Sequence, residues 1–254
     1  MGEAERMHEA LRTMTEKVCT VFDEARFERR DGYDFLLFPP VPVPQFNGVW
    51  PLDDEAAPSL PAALDEIRDQ ALPYSVQVRR GRTPAWEEEA ARLGLTGEEP
   101  MPGMVTAPAD LSGPDLPELE IIRVETADGL AQTLAVAAAG FGAPANMLAP
   151  LYLLETAAIE GLSYYLGRVD GRDVSTSVGY TLGDTVGVFN VATPPEYRGR
   201  GYGAALTVEA AREGFAAGAE LAWLQASAMG FSVYRRLGFR EAAEYVLLTR
   251  PEAP

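Results

Sequence analysis

The segment Pro194-Pro195-Glu196-Tyr197-Arg198-Gly199-Arg200-Gly201-Tyr202-Gly203-Ala204 constrains this chain more than any other, because it must turn an apolar strand into a helix through glycines. Upstream, Val186-Gly187-Val188-Phe189-Asn190-Val191-Ala192 has the apolar character of a buried strand, and the proline pair stops it. Downstream, residues 205–217 carry apolar side chains at helical spacing. The loop is therefore predicted to end at a helix N-terminus. Backbone N–H groups of a first helical turn lack intrahelical acceptors, the helix dipole adds partial positive charge, and glycine lets the main chain approach an anion without a Cβ in the way. Arg198 and Arg200 add mobile positive charge, so the segment reads as a phosphate cradle with a pyrophosphate-bearing coenzyme as its leading ligand.

Neither a Walker lysine-serine pair nor a full Gly-x-Gly-x-x-Gly fingerprint accompanies the loop, which argues against nucleotide hydrolysis and dinucleotide binding. What stands there, Arg198-x-x-Gly201-x-Gly203, resembles the acyl-coenzyme A pyrophosphate loop of the GNAT superfamily of N-acetyltransferases. The run Leu224-Gln225-Ala226-Ser227-Ala228-Met229-Gly230-Phe231-Ser232-Val233-Tyr234-Arg235-Arg236-Leu237-Gly238-Phe239 is similar to the next strand and helix of that family, with its tyrosine and Leu-Gly-Phe signature. The resemblance implies an α/β fold, a GNAT-type mixed sheet flanked by helices. It also implies an acyltransferase that moves an acetyl group from acetyl-CoA, as cosubstrate, to a primary amine of a small molecule or peptide by direct attack in a ternary complex. A different class stays beside it: an acyl-CoA-binding regulatory or interaction protein without turnover.

Residue by residue, the resemblance assigns coenzyme contacts to Asn190, Val191, Ala192 and Thr193 on the strand, to Arg198, Gly199, Arg200, Gly201, Tyr202, Gly203 and Ala204 in the loop, and to Ser227. Ser227 also has the position of a helix cap. Tyr234 is implied as the acid that protonates the departing thiolate, a task suited to a phenol of ordinary pKa near 10, with a core tyrosine as the plain alternative. No carboxylate lies in residues 186–192, where some family members place a base. Glu155 and Glu160 are the nearest candidates, each with the plain reading of a surface carboxylate, and deprotonation through water is the remaining route.

Composition narrows the partners. With 254 residues, 47% of them hydrophobic, the chain can build one large core or two modest ones. A net charge of −17 sets most of its surface against nucleic acid and anionic membranes, and is compatible with a cationic acceptor, although solubility is the general reason for such a surface. The single histidine, His8, excludes a Ser-His-Asp triad or a multi-histidine metal site within one chain, so no metal is expected. Cys19 is the one cysteine, which excludes an internal disulfide and fits a core-facing small residue in a reducing, cytoplasmic setting. The opening MGEAERMHEALRTMTEKV reads as a charged amphipathic helix, with no export signal or membrane anchor. A homodimer stays open.

Residues 116–254 read as the acyl-CoA-dependent domain: strand 119–124, helices 128–140 and 147–159 with Asp128 as the first N-cap, strands 162–169 and 174–182 joined at Asp170-Gly171, strand 186–192, the loop and its helix, strand 221–226, a short helix through Tyr234, and strand 239–249. Residues 1–115 repeat that order in weaker form, as a degenerate GNAT-like half or as a separate domain of helices and strands whose likeness is one of element order alone. After an opening helix come strand 33–38, the extended Val41-Pro42-Val43-Pro44, strand-like Phe46-Asn47-Gly48-Val49-Trp50-Pro51 echoing Phe189 to Pro194, helix 60–72, strand 74–79, a helix ending near 95, and strand 104–107. Leu52-Asp53-Asp54-Glu55-Ala56-Ala57 stands where the phosphate loop belongs, so this half is expected not to bind coenzyme A. Residues 108–117 read as the linker between the two.

Overall fold

A computed structural model of the chain, described over residues 1–251, places its elements in the order α1 (Glu3–Cys19), β1 (Arg26–Arg30), β2 (Tyr33–Leu37), β3 (Asn47–Pro51), α2 (Leu60–Arg68), β4 (Ser75–Arg79), α3 (Pro84–Arg92) and β5 (Gly97–Thr106). The second half continues with β6 (Glu120–Val124), α4 (Ala127–Phe141), α5 (Ala145–Leu148), α6 (Leu154–Ala157), β7 (Leu162–Val169), β8 (Arg172–Leu182), β9 (Thr185–Ala192), α7 (Tyr202–Ala216), β10 (Leu221–Gln225), α8 (Ala228–Arg236) and β11 (Arg240–Thr249). The contacts divide the described residues into two units, one of Met1–Met14 with Met104–Ala242, the other of Thr15–Gly103 with residues 243–251.

In the unit that holds the phosphate loop, β6, β7, β8 and β9 pair antiparallel in sequence order, and β10 then joins β9 in parallel through the α7 crossover. The β7–β8 hairpin turns at Asp170 and Gly171, both left-handed (φ 49° and 72°), the geometry that an Asp-Gly pair favours in a two-residue turn. Small residues let α7 lie close on the sheet. A Cβ on Gly214 would stand 2.4 Å from Val186 Cβ, and one on Gly167 would stand 2.9 Å from Leu206 Cδ2. The core beneath α7 is built from Val186, Val188, Leu206, Val208, Ala210 and Leu224 with Phe239 and Met104. Strand β5, whose residues from Met104 belong to this unit, flanks β10.

The other unit follows the same scheme. Strands β1, β2 and β3 pair antiparallel, β4 joins β3 in parallel through the α2 crossover, and residues 245–248 of β11 run antiparallel beside β4. In each unit, then, the strand beside the parallel pair comes from the end of the other half of the sequence. Strand β1 escaped the hydrophobic pattern because it is an edge of Arg and Glu, held by ion pairs such as Arg30 with Glu28 and Glu66 at 2.7 and 2.8 Å. The echo between Asn47 and Asn190 is not a structural equivalence. Asn47 opens β3 before its parallel pairing begins and plugs a turn, accepting from Phe38 N–H at 2.8 Å, whereas Asn190 lies beyond the parallel pairing of β9.

Two details of the helices before β7 differ from expectation. Thr126, not Asp128, caps α4, its hydroxyl accepting from Gly129 N–H at 3.1 Å while Asp128 sits in the first turn. The helix expected over 147–159 is broken: α5 gives way to a single tight turn at Ala149–Tyr152, Leu153 is extended, and only then does α6 begin. Pro150 removes a backbone donor, and its carbonyl is taken by Thr156 Oγ1 at 2.8 Å, which fixes the break. Residues 108–117 are tied to the loop-bearing unit, with Ser112 N–H donating to Leu237 O at 3.0 Å.

Candidate active site

The loop after β9 has the backbone that its glycines foretold. Gly199 and Gly201 are left-handed (φ 76° and 86°), and Gly201 occupies the N-cap position of α7 with no side chain capping the helix. Among the described residues, the N–H groups of 199–204 donate to no backbone carbonyl, and the helical ladder resumes with Ala205 N–H on Gly201 O at 3.0 Å. Six donors without backbone acceptors thus lie together at the positive end of a four-turn helix. A Cβ on Gly203 would come within 3.2 Å of Thr193 Oγ1 and 3.5 Å of Val191 Cγ1, so a side chain there would crowd the cradle. Tyr202 contributes its backbone only, because its side chain is buried beneath the helix, and Ala204 packs toward the core.

The two arginines divide the work. Arg198 does not swing free: its Nε donates to Thr193 O at 3.0 Å and its Nη2 to Gly140 O at 2.7 Å, so it staples the C-terminal end of α4 to the start of the loop. Arg200 lies exposed, its guanidinium 5.9 Å from the Tyr197 ring centre and only weakly held by Glu196 O at 3.4 Å. Thr193 and Ala192 are fixed from below, since Ser175 Oγ donates to Ala192 O at 3.0 Å and lies 2.9 Å from Thr193 Oγ1.

Strand β9 parts from its neighbours just where the coenzyme arm is expected. Its parallel pairing with β10 covers Thr185, Val186 and Gly187 opposite Leu221, Ala222 and Trp223, and stops there. On the other side Val178 faces Phe189 but Thr176 faces Ala192, so Asn190 and Val191 form a bulge opposite Ser177. Asn190 is left-handed at φ 49° inside a strand, the conformation that lets the bulge close. Phe189 stands edge-on to Trp223, ring centres 5.0 Å apart, at the mouth of the split.

Tyr234 and Ser227 come from α8, the helix that follows β10. Ser227 is its N-cap, accepting from Gly230 N–H at 3.2 Å. The Tyr234 ring folds back over the first turn of α8, where a Cβ on Gly230 would stand 2.6 Å from Tyr234 Cε2. Gly230, which the sequence reading passed over, therefore makes the space that the tyrosine uses; an i, i+4 glycine-tyrosine pair is the signal that could have revealed it. Burial pushes the Tyr234 phenol up to about 12, so it stays protonated at neutral pH. Glu155 and Glu160 are both exposed, and Glu160 acts electrostatically on Tyr180.

The remaining reactive candidates fall away on geometry. Cys19 is buried, and desolvation followed by Glu16 pushes its thiol up to about 12, far from a reactive thiolate. Among the described residues no group of histidine, cysteine and carboxylate side chains is placed to hold a metal, and no single helix is long and apolar enough to cross a membrane. In the first half, the position of the phosphate loop holds a tight turn at Asp54–Ser59, where Asp53 Oδ1 accepts from Glu55 N–H at 3.0 Å and Asp54 Oδ1 from Ala85 N–H at 3.0 Å.

Comparison with known proteins agrees with this geometry. Residues 169–242, from the β7–β8 turn into β11, match the family model of the acetyltransferase (GNAT) domain. No curated protein matches the chain. A GCN5-related N-acetyltransferase from Kribbella flavida superposes with a TM-score of 0.70 at 22% identity, over 100% of this chain and 97% of that one. A GCN5-related N-acetyltransferase-like protein from Streptococcus suis covers 97% of this chain and 98% of its own, with a TM-score of 0.59 at 12% identity. A GCN5-related N-acetyltransferase from Sphaerobacter thermophilus gives 0.61 at 16% identity, over 85% and 79%. These likenesses extend the shared fold across both halves of the sequence, and residues 169–242 of this chain match the acetyltransferase (GNAT) domain.

Proposed function

We propose that this chain transfers an acetyl group from acetyl-CoA to a primary amine of a small molecule or peptide by direct attack in a ternary complex. The observation that carries this reading is the arc of open N–H groups over residues 199–204, placed beside the point where β9 leaves β10. In this reading the arc and Arg200 hold the pyrophosphate, and the backbone of residues 190–193 lines the pantetheine and thioester. An N–H aimed at the thioester oxygen contributes about 3 kcal/mol in the transition state. Tyr234 gives its proton to the departing thiolate, and Ser227 acts as a helix cap beside the coenzyme. Residues 116–254 supply this chemistry, while the first half, with carboxylates in its own cradle, binds no coenzyme.

The lack of a carboxylate on β9 favours a second reading, a coenzyme-binding regulator without turnover. One experiment separates the two. Coenzyme A binding is measured by calorimetry, and free thiol is followed with acetyl-CoA against a panel of amines. Saturable binding with acceptor-dependent thiol release is the expected result. Binding without release on any amine favours the regulator, and no binding at all removes both.

A further inference from the structure

The inward stripe of α7 does not end as it begins. Leu206, Ala210, Glu213 and Ala217 recur at helical spacing, and Leu206 is fully buried against Gly167 of β7. Two turns later the same stripe sets the Glu213 carboxylate over the sheet. A charged residue in a core register is a local conflict, and such conflicts gather at functional sites. Between this end of α7 and the strands lies a cavity of about 170 Å³, wholly inside the loop-bearing unit and lined by Arg123, Ser163, Tyr165, Thr181 and Glu213. Small residues make the room: Gly161 and Gly179 on the sheet side, Ala210 and Ala217 on the helix. Gly161 has no space for a side chain, since it is left-handed at φ 89° and a Cβ would stand 2.2 Å from Thr181 O.

Strand register sets the polar groups side by side. Arg123 of β6 stands opposite Tyr165 of β7, and Ser163 opposite Gly179 of β8. Arg123 Nη1 donates to Glu213 Oε2 at 3.2 Å, its Nη2 donates to Ser163 Oγ at 3.2 Å, and its Nε is 4.0 Å from Glu125 Oε1. Tyr165, only 2% exposed, donates to the same Glu213 Oε2 at 2.7 Å. Burial, then Glu213, raises its phenol above the ordinary value, so it remains a donor. The Arg123 and Glu213 side chains are 54% and 34% exposed, and an ion pair so wet contributes little and opens readily.

We propose that this cavity is a second ligand site, which takes a free α-amino acid as its zwitterion, with the ligand carboxylate on the Arg123 guanidinium and the ligand ammonium on Glu213. Charge decides the class. A lone anion would meet Glu213 and a lone cation would meet Arg123, whereas a zwitterion exchanges one exposed ion pair for two. The guanidinium receives a carboxylate through two parallel N–H groups. Glu213 takes the ammonium at Oε1 while Tyr165 holds Oε2 in place. The Ser163 and Thr181 hydroxyls favour a polar side chain on the ligand. Volume decides the size, because pockets for drug-sized ligands run to roughly 300–1,000 Å³, so this one suits a small amino acid and not a coenzyme. The site is separate from the phosphate loop: Gly203 and Glu213 lie about 15 Å apart along the axis of α7.

The test uses the full chain without coenzyme, in a thermal-shift screen of the standard L-amino acids, each at about 10 mM, with calorimetry on those that bind. At least one small polar amino acid should raise the melting temperature by about 2 °C or more. Its N-acetyl derivative and its amide, each lacking one charge, should bind about tenfold or more weakly. Arg123→Gln and Glu213→Gln should each lose the shift, while melting without ligand within about 2 °C of the wild type, as expected for an exposed pair. Ala217→Leu crowds the cavity from the exposed end of α7, touches neither charge, and should lose the shift as well. No shift with any amino acid overturns the proposal. A shift that survives in both charge variants places the ligand elsewhere and also overturns it, and equal binding of a derivative lacking one charge overturns the zwitterion as its class.

Discussion

At the scale of single residues, the acetyl-transfer proposal rests on Gly203 and Tyr234. Gly203→Asp would place a carboxylate at the second position of α7, near Thr193 Oγ1. An acid in a first helical turn is tolerated or mildly stabilising, at about 0.3–1 kcal/mol. In the proposed complex the same acid would face the pyrophosphate, and like charges in a recognition site cost several kcal/mol. Coenzyme A affinity should therefore fall by ~100-fold with an unchanged melting temperature, measured by calorimetry and thermal shift; unchanged affinity would remove the loop from the site. Tyr234→Phe keeps the ring that folds over Gly230 and removes one proton donor. Turnover should drop by roughly 10²-fold at constant coenzyme affinity. Because burial raises the phenol to about 12, wild-type activity should show no alkaline loss from this group below about pH 11, where its folded form still carries the proton. Full turnover in the variant would leave Tyr234 as packing alone.

At the scale of elements, the staple between α4 and the loop is the feature to test. Arg198 joins Thr193 O and Gly140 O, two carbonyls that belong to segments far apart in sequence. Gly140 also lets α4 approach, since a Cβ there would stand 2.8 Å from Ala192 Cβ. Arg198→Ala loses both hydrogen bonds, each discounted because the side chain is exposed, so about 1 kcal/mol and a fall of ~2–4 °C in melting temperature are expected. Coenzyme affinity should weaken by less than tenfold, well short of the loss for Gly203→Asp, because the N–H arc survives. Arg198→Lys should not restore the melting temperature, as one ammonium lacks the planar fork that reaches two carbonyls. The broken helix after α4 belongs to this scale as well. Its apolar spacing read as one helix over 147–159, yet Pro150 and the extended Leu153 break it and leave Tyr152 buried with its ring on Tyr164 of β7.

Across the whole molecule, the unit that carries the site includes Met1–Met14 and the strand residues from Met104, so it is not a contiguous half of the chain. A protein truncated to begin at Asp115 would lack α1 and the β5 residues that flank β10, including fully buried Met7 and Met104. Removing buried methionines of this kind costs about 2–5 kcal/mol each. The truncated protein should consequently melt lower by well over 10 °C or fail to fold, judged by circular dichroism; a cooperative transition near that of the full chain would contradict the division into units. Sequence alone determined the strand–loop–helix at 186–216, the Asp170-Gly171 hairpin and the strand and helix between Leu224 and Phe239, because turn chemistry, helix starts and periodicity act between residues a few positions apart. Only the tertiary structure decided that Arg198 is a staple, that Asn190 and Val191 bulge opposite Ser177, and that the strand beside each parallel pair comes from the other half of the sequence. Those outcomes depend on which distant surfaces bury best against one another, and no local pattern in a chain encodes a partner 58 residues away.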